Sequence, residues 1–268
     1  MGKYDGKILM SDMDGTLLDS NSRVSERNKQ AIRAFIKEGG RFGVATGRNL
    51  ANAEAFLEGV DINGYCIFAN GGLLYDPEKR GYVREYGMEK KGTSEFLSRC
   101  LKEQKGINIQ IYARDMAHFI SPVEYADTEV VRDHIPVCFD RMERMEDTAW
   151  LKILFSGSEE ELQWLIRESA SLEEEGIICR VRSAVNYYEF LPAGVSKGYM
   201  LERMRELVDD SCVIYAAGDY YNDIHMIRAA DVGIAMGNAP EEVKACADRI
   251  CAGCDADAIA DIIEHIMA

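Results

Sequence analysis

The chain has 268 residues, with 46 acidic side chains against 31 basic ones and a net charge of −15. That length can bury a large core as one big domain or two small ones, and the acidic balance argues against nucleic acid or anionic membrane as a partner, because phosphate backbones are held by clustered Lys and Arg. No apolar run approaches the roughly 20 residues that span a bilayer, and the N-terminal "MGKYDGKILM" carries neither a secretory signal nor the Ser or Thr that acylation would want at Gly6, so a soluble cytoplasmic protein is expected.

In chain order, strand and helix signals first alternate. "KILMSD" reads as a strand; Ser25 can cap a helix whose Ile32, Phe35 and Ile36 recur at helical spacing before Gly39 and Gly40 stop it. "RFGVAT" is the next strand, "NLANAEAFLEGV" the next helix and "YCIFAN" the third strand, the rhythm of a parallel sheet with helices on its faces. The middle of the chain changes character. "INIQIYA", "AHFIS", "WLKILFS" and "ICRVRS" read as strands, with helices at "TSEFLSRCLKEQ" and "EEELQWLIRESASL", suggesting an α+β module with a largely antiparallel sheet.

After "EFLPAGVSKG" the first rhythm resumes: helix "KGYMLERMRELV", strand "CVIYAAGD", helix "NDIHMIRAA", strand "VGIAMG", helix "PEEVKACA" and a last helix from about Asp255. The expected architecture is therefore an α/β core of residues 1–82 and 189–268 interrupted by an inserted α+β module at 83–188, with linkers near 81–85 and 186–192. Of the eight cysteines, most fall in apolar segments and read as reduced core residues; the lone CxxC at Cys251 and Cys254 has no second pair to complete a zinc ribbon and reads as structural.

The residues that can carry chemistry lie at strand C-terminal ends, where open α/β sheets bind ligands. Asp12 and Asp14 follow the first strand, Thr46, Gly47 and Arg48 the second, Asn70, Gly71 and Gly72 the third, and Asp219, Asn222 and Asp223 the strand "CVIYAA". Two aspartates one residue apart repel each other, and a fold keeps such a pair when a cation or shared proton offsets the repulsion. With Asp219 and Asp223, four residues apart, the cluster reaches four carboxylates, which suits Mg²⁺. A lone DxD can equally be a turn or cap. A calcium loop is excluded, because Leu17 stands where Gly is demanded and Arg23 where Glu is.

Lys197 lies in "GVSKG" at a helix start, where backbone N–H groups favour an anion; the alternative is a solvated surface lysine. No Walker loop, GxGxxG or GxSxG is present, and His118, His134, His225 and His265 fall at no ligand spacing.

Together, "DMDGT" at Asp12, "VATGR" with Thr46, "GVSKG" with Lys197 and "GDYYNDIHM" with Asp219 and Asp223 resemble the four ordered motifs of the haloacid dehalogenase superfamily. The long insertion between the second and third motifs resembles the Cof-like subfamily, whose α/β cap closes over the site from that point. The resemblance implies a Rossmann-like three-layer core and an Mg²⁺-dependent phosphatase of small phosphorylated metabolites, chiefly sugar phosphates. It implies Asp12 as nucleophile forming an aspartyl-phosphate, and Asp14 as the acid and base. It further implies a metal held by Asp12, the Asp14 carbonyl and Asp219, with Asp223 among or beside the ligands, and phosphate contacts from Thr46, Gly47, Arg48 and Lys197, with Asn222 steadying the phosphate or Lys197.

A phosphomannomutase-like mutase shares this motif order, and a non-catalytic module would be expected to lose a charged motif residue, yet all are present. Specificity is expected in the inserted module; 111–119 and 182–190 are candidate segments, with an ordinary cap sheet the stronger reading of both.

Overall fold

A computed structural model describes residues 2–103, 106–114, 116–125, 137–145 and 147–267. His134, Gln104 at the end of one expected helix and Asp115 within the 111–119 segment lie outside the described residues. The chain begins β1 (Lys7–Ser11), α1 (Glu26–Lys37), β2 (Arg41–Val44), α2 (Leu50–Phe56), β3 (Cys66–Phe68), β4 (Leu73–Asp76) and β5 (Gly81–Glu85). It continues through α3 (Lys90–Glu103), β6 (Asn108–Tyr112), β7 (Ala117–Phe119), β8 (Val137–Phe139), β9 (Lys152–Ser156), α4 (Glu159–Glu168), α5 (Ala170–Glu174), β10 (Ile178–Ala184) and β11 (Tyr187–Pro192). It ends α6 (Lys197–Arg205), β12 (Val213–Gly218), α7 (Ile224–Ala229), β13 (Val232–Ala235), α8 (Glu241–Lys244), β14 (Arg249–Ile250) and α9 (Ala258–Asp261).

The core is a parallel sheet in the order β14-β13-β12-β1-β2, with β3 joined to β2 through a single parallel bridge between Ala45 and Ile67. β1 is sandwiched between the two halves of the chain and is apolar on both faces, as a central parallel strand must be. Its Leu9 packs with Ile32 and Phe35 of α1 and Ile259 of α9, whereas Ile8 and Met10 pack with Met200, Leu201 and Met204 of α6 and Met226 of α7. Helices thus cover both faces of the sheet, giving three layers. Ser25 caps α1 as expected, accepting from the Asn28 amide, and donates to Asp257 at 2.6 Å, which ties the helix start to the C-terminal segment.

Two segments expected as linkers are strands. At 81–85 the chain forms β5, because the Asp76 carboxylate accepts from the Glu78 and Lys79 amides and turns β4 back into a hairpin. At 187–192 it forms β11, paired with both β9 and β10 inside the second sheet.

That second sheet has the order β10-β11-β9-β6-β7-β8 and is antiparallel except where β7 meets β8. Its strands alternate chemistry with a period of two. Ile109, Ile111, Ile153, Phe155 and Phe190 face α3 and α4 and pack against Phe96, Leu97, Leu162 and Leu165. The intervening Asn108, Gln110, Lys152, Ser156 and Glu189 are buried although polar.

The cysteines among the described residues are free. Burial pushes the Cys66, Cys100 and Cys251 thiols up to about 12, which fits inert core residues.

The β3–β4 connection positions the start of α6. Gly71 has φ +108, and a Cβ there would lie 2.3 Å from the Ser196 carbonyl oxygen, immediately before Lys197. Gly71→Ala is expected to cost about 2–4 kcal/mol through backbone strain and the clash, measurable as a lowered denaturation midpoint.

Candidate active site

Asp12 follows β1, and its amide donates to the Ala217 carbonyl at 2.9 Å, so the residue emerges between β1 and β12 at the sheet edge. There the extended backbone ends. The Leu17 amide reaches the Asp12 carbonyl, the Leu18 amide reaches Met13, and Gly15 takes φ +76. A Cβ on Gly15 would lie 2.4 Å from Asp219 Oδ2, so only glycine lets the turn approach that carboxylate.

This turn separates the roles of the two neighbouring aspartates. Asp12 is buried, but Asp14 has a side chain 53% exposed, held at two points by Arg48 Nη2 at 2.7 Å and Nε at 2.9 Å. Arg48 also donates to Asn52 Oδ1 and stacks 4.2 Å over Phe56. The Asp14 carboxylate therefore lies outside the group of three, Asp12, Asp219 and Asp223, whose oxygens come within 4.8 Å of one another.

Lys197 is fully buried at the start of α6 and donates to Asp12 Oδ1 and Asp223 Oδ1 at 2.7 Å each. Asp223 Oδ2 accepts from the Asp219 and Tyr220 amides at 3.0 and 3.1 Å, which closes the turn after β12. Asp219 accepts from Thr16 Oγ1 at 3.2 Å and Asn238 Nδ2 at 3.3 Å. Burial, then the Asp223 charge, push the Asp12 carboxyl well above the ordinary carboxylate range against the pull of Lys197. The same two causes, in the same order, push Asp219 up to about 7. Burial would lower the Lys197 ammonium, but Asp12 and Asp223 outweigh it and hold it above its usual value.

Three carboxylates against one ammonium leave two negative charges when all are ionised. An all-oxygen donor set with that deficit fits a hard divalent cation, and the raised carboxyl groups mark where its charge would be felt.

Thr46 is buried at the end of β2, and its hydroxyl accepts from the Arg48 amide at 3.1 Å. Gly47 stands where a Cβ would lie 2.9 Å from Asn70 Nδ2. Asn70 adopts φ +52 and joins several elements: its amide donates to the Thr46 carbonyl, its Oδ1 accepts from Asn222, and its Nδ2 donates to Glu189 Oε2 at 2.7 Å. Glu189 in turn accepts from Lys152 Nζ at 3.1 Å and Ser183 Oγ at 2.6 Å. Burial pulls the Lys152 ammonium below its usual value, opposed by Glu189.

Several of these groups line one cavity of about 510 Å³: Asp12, Asp14, Gly47, Arg48, Asp219 and Asn222 on the core side and Lys152, Glu189, Ser183 and Tyr187 on the side of the second sheet. Of the candidate segment 182–190, Ser183, Ala184, Val185, Tyr187 and Glu189 line this cavity, although an ordinary cap sheet was the stronger expectation. The segment 111–119 contributes Tyr112.

The sequence reading missed Thr16, Asn238, Lys152 and Glu189 as individual site residues. Asn238 followed a signal already in use, since it comes just after β13 at the same sheet edge, and its Nδ2 also holds the Gly15 carbonyl at 2.9 Å. His225 packs its backbone against Gly198 at the start of α6 and lines a smaller neighbouring cavity with Lys197.

A family model described as haloacid dehalogenase-like hydrolase matches residues 9–263. The chain is 28% identical to phosphatase YwpJ of Bacillus subtilis, over 97% of this chain and 100% of that protein. It is also 28% identical to the 5-amino-6-(5-phospho-D-ribitylamino)uracil phosphatase YcsE of the same organism, over 97% and 96% of the two chains. A solved haloacid dehalogenase-like hydrolase from Bacteroides thetaiotaomicron superposes with a TM-score of 0.82 at 25% identity, covering 98% of this chain and 99% of that one.

Replacing Lys197 by Met leaves Asp12 and Asp223 buried without their cation. In chelator-treated protein this is expected to cost on the order of 3–5 kcal/mol, with proton uptake by the carboxyl groups limiting the loss. Chemical denaturation at neutral pH measures it.

Proposed function

From the premise that the chain belongs to the haloacid dehalogenase-like hydrolases and is a phosphoric monoester hydrolase, we propose an Mg²⁺-dependent cytoplasmic phosphatase of small phosphorylated metabolites, sugar or polyol phosphates first, working through an aspartyl-phosphate on Asp12. The observation that carries this reading is the oxygen-only trio of Asp12, Asp219 and Asp223 with Lys197 bridging Asp12 and Asp223, two of the three carboxylates, Asp12 and Asp219, lining a cavity large enough for a small metabolite.

In this mechanism an Asp12 carboxylate oxygen attacks phosphorus in line with the leaving oxygen, and the bond to the alcohol breaks. Asp14 gives its proton to that alkoxide and later takes one from the water that hydrolyses the acyl phosphate. For this the Asp14 side chain must exchange Arg48 for substrate. The Asp14 side chain is half exposed, so once released from Arg48 its carboxyl can take up the proton it donates from solvent. The freed guanidinium, Thr46, Gly47, Asn222 and Lys197 then contact the phosphoryl oxygens. Asp12, Asp219, Asp223 and the Asp14 carbonyl would hold Mg²⁺, which would supply charge neutralisation for the phosphate.

The inserted module acts as the cap that excludes water and selects the leaving group. Strands β5 and β11 run through positions 82/83 and 188/189, so we place its boundaries at Gly87 and at 193–194 instead of the positions the sequence suggested. The Tyr86 amide still bonds the core at Gly72, whereas the Met88 amide bonds Trp150 in the module. The preference for a polyhydroxylated leaving group rests on the donor and acceptor set of Lys152, Glu189 and Ser183 facing the cavity, and on a relative named for a ribityl phosphate.

Three outcomes are expected. Asp12→Asn abolishes phosphate release from a generic phosphoester while the circular dichroism spectrum is unchanged; chelator removes wild-type activity and Mg²⁺ restores it. Retained turnover in the variant would sink the nucleophile assignment, and isomerised hexose phosphate in place of free phosphate would establish a mutase instead. The double variant Lys152→Met, Glu189→Gln removes both cap charges together, avoiding an orphan. It is expected to lower kcat/KM for a sugar phosphate by about tenfold or more, with p-nitrophenyl phosphate changed far less.

A further inference from the structure

Outside the active site, the described residues contain one other group of metal-ligating side chains whose donor atoms lie within 4.8 Å of one another: His118, Cys138 and Asp140. The sequence gives no hint of it, because the residues belong to separate strands. β7 and β8 pair in parallel with His118 opposite Cys138, and Asp140 follows two residues after Cys138. Residues two apart on an extended chain share a face, and so do cross-strand partners, so the pairing alone brings three side chains to one side of the sheet.

The contacts are specific. His118 Nδ1 lies 2.9 Å from Cys138 Sγ and 3.6 Å from Asp140 Oδ2. Asp140 Oδ1 accepts from the Arg141 amide at 2.8 Å, and the Asp140 amide bonds the Phe119 carbonyl, so the carboxylate is oriented with Oδ2 toward the imidazole. Support of this kind is what holds a ligating carboxylate in place. Arg144 lies 3.8 Å from Oδ1 but is 76% exposed and weakly held. The His118 and Asp140 side chains are 16% and 20% exposed, shielded yet within reach of an ion from solvent.

We propose that His118, Cys138 and Asp140 form a binding site for a borderline-soft divalent cation of the Zn²⁺ class, separate from the oxygen-only active site. Zn²⁺ takes Cys sulfur at about 2.3 Å and His nitrogen or carboxylate oxygen at about 2.0–2.2 Å, so tetrahedral ligands sit about 3.4–3.6 Å apart. The nitrogen-to-oxygen spacing already matches, and the nitrogen-to-sulfur contact must open by about 0.6 Å. On binding, the Cys138 S–H bond breaks, its proton goes to solvent, and the thiolate, the neutral imidazole and the carboxylate each donate one lone pair. Water fills the remaining position.

The site ties β8, the edge strand of its sheet with a three-residue ladder, to β7. This differs in chemistry from the active site, where Asp12, Asp219 and Asp223 offer oxygen alone.

The test is titration of chelator-treated full-length protein with Co²⁺, reading the near-ultraviolet thiolate-to-cobalt charge-transfer band, which an oxygen-only site does not give. Wild type is expected to develop the band at one equivalent and lose it when Zn²⁺ is added, while excess Mg²⁺ leaves it intact. Cys138→Ser abolishes it and Asp140→Asn weakens Co²⁺ binding at least tenfold. Cys254→Ser, which removes a thiol that senses Asp219, leaves it unchanged. Absence of the band in wild type, or its survival in Cys138→Ser, overturns the site. Should Cys138→Ser fail to fold by circular dichroism, the Asp140→Asn titration decides, an unchanged affinity being the negative result. None of these readings depends on phosphate release, so the phosphatase assignment stands or falls separately.

Discussion

The buried ammonium of Lys197 is the contact on which the rest of the architecture turns. It bonds Asp12, 185 residues earlier in the chain, and Asp223, 26 residues later. Removing an ammonium and two carboxylates from water is costly, and the cost is offset only when every oxygen and proton finds a partner. That requirement reaches into the surroundings. Asp223 spends its second oxygen on two backbone amides, Asp219 takes Thr16 and Asn238, and Gly15 and Gly71 leave room for the Asp219 carboxylate and the start of α6. A parallel sheet with β1 at its centre meets the requirement directly, because β12 and the two ends of the interrupted core come together at one edge.

The second sheet answers a different constraint. It must bury one face against its own helices and still present polar groups to the cavity, which a period-two strand does by alternating. Tyr112 pairs with Lys152 across β6 and β9, and Leu154 pairs with Glu189 across β9 and β11, so Lys152 and Glu189 meet on the diagonal. Their ion pair is buried and would be a liability in isolation. Ser183 and Asn70 satisfy the carboxylate's remaining capacity, and Asn70 belongs to the core.

Much of this was legible in the sequence. The parallel core, the insertion and the four strand-end clusters followed from hydrophobic period and from the position of polar residues after apolar runs, because in an open α/β sheet both are set locally. Tertiary pairing was not legible. "GYVRE" and "YYEFLP" look like connectors until β4 and β9 supply their partners. The polar positions of "INIQIYA" and "WLKILFS" carried the alternation that points Lys152 at the site, yet alternation alone does not say which face meets the core. On an extended strand, residues two apart such as Asp12 and Asp14 would share a side, but β1 ends at Ser11, and nothing in "DMDGT" announces that Arg48 will claim the second carboxylate.

The contrast between those two aspartates has a physical origin in where the turn releases each side chain. Asp12 is fixed by Lys197 in a dry environment in which any proton or cation must come through the cavity, so its charge is governed by what binds there. Asp14 remains half exposed and held by a guanidinium that Asn52 and Phe56 orient from outside the carboxylate trio. Under the proposed mechanism this division suits the two roles, because a group that donates and then accepts a proton needs that access, whereas a nucleophile benefits from being immobile and poorly hydrated. The hydrogen-bond chain from Asn222 through Asn70 to Glu189 and Lys152 then makes the floor and the roof of the cavity one polar network. A ligand seated against the core in that cavity therefore lies beside the Lys152–Glu189 pair, so a cap without a residue in the carboxylate cluster still lines the space next to Asp12.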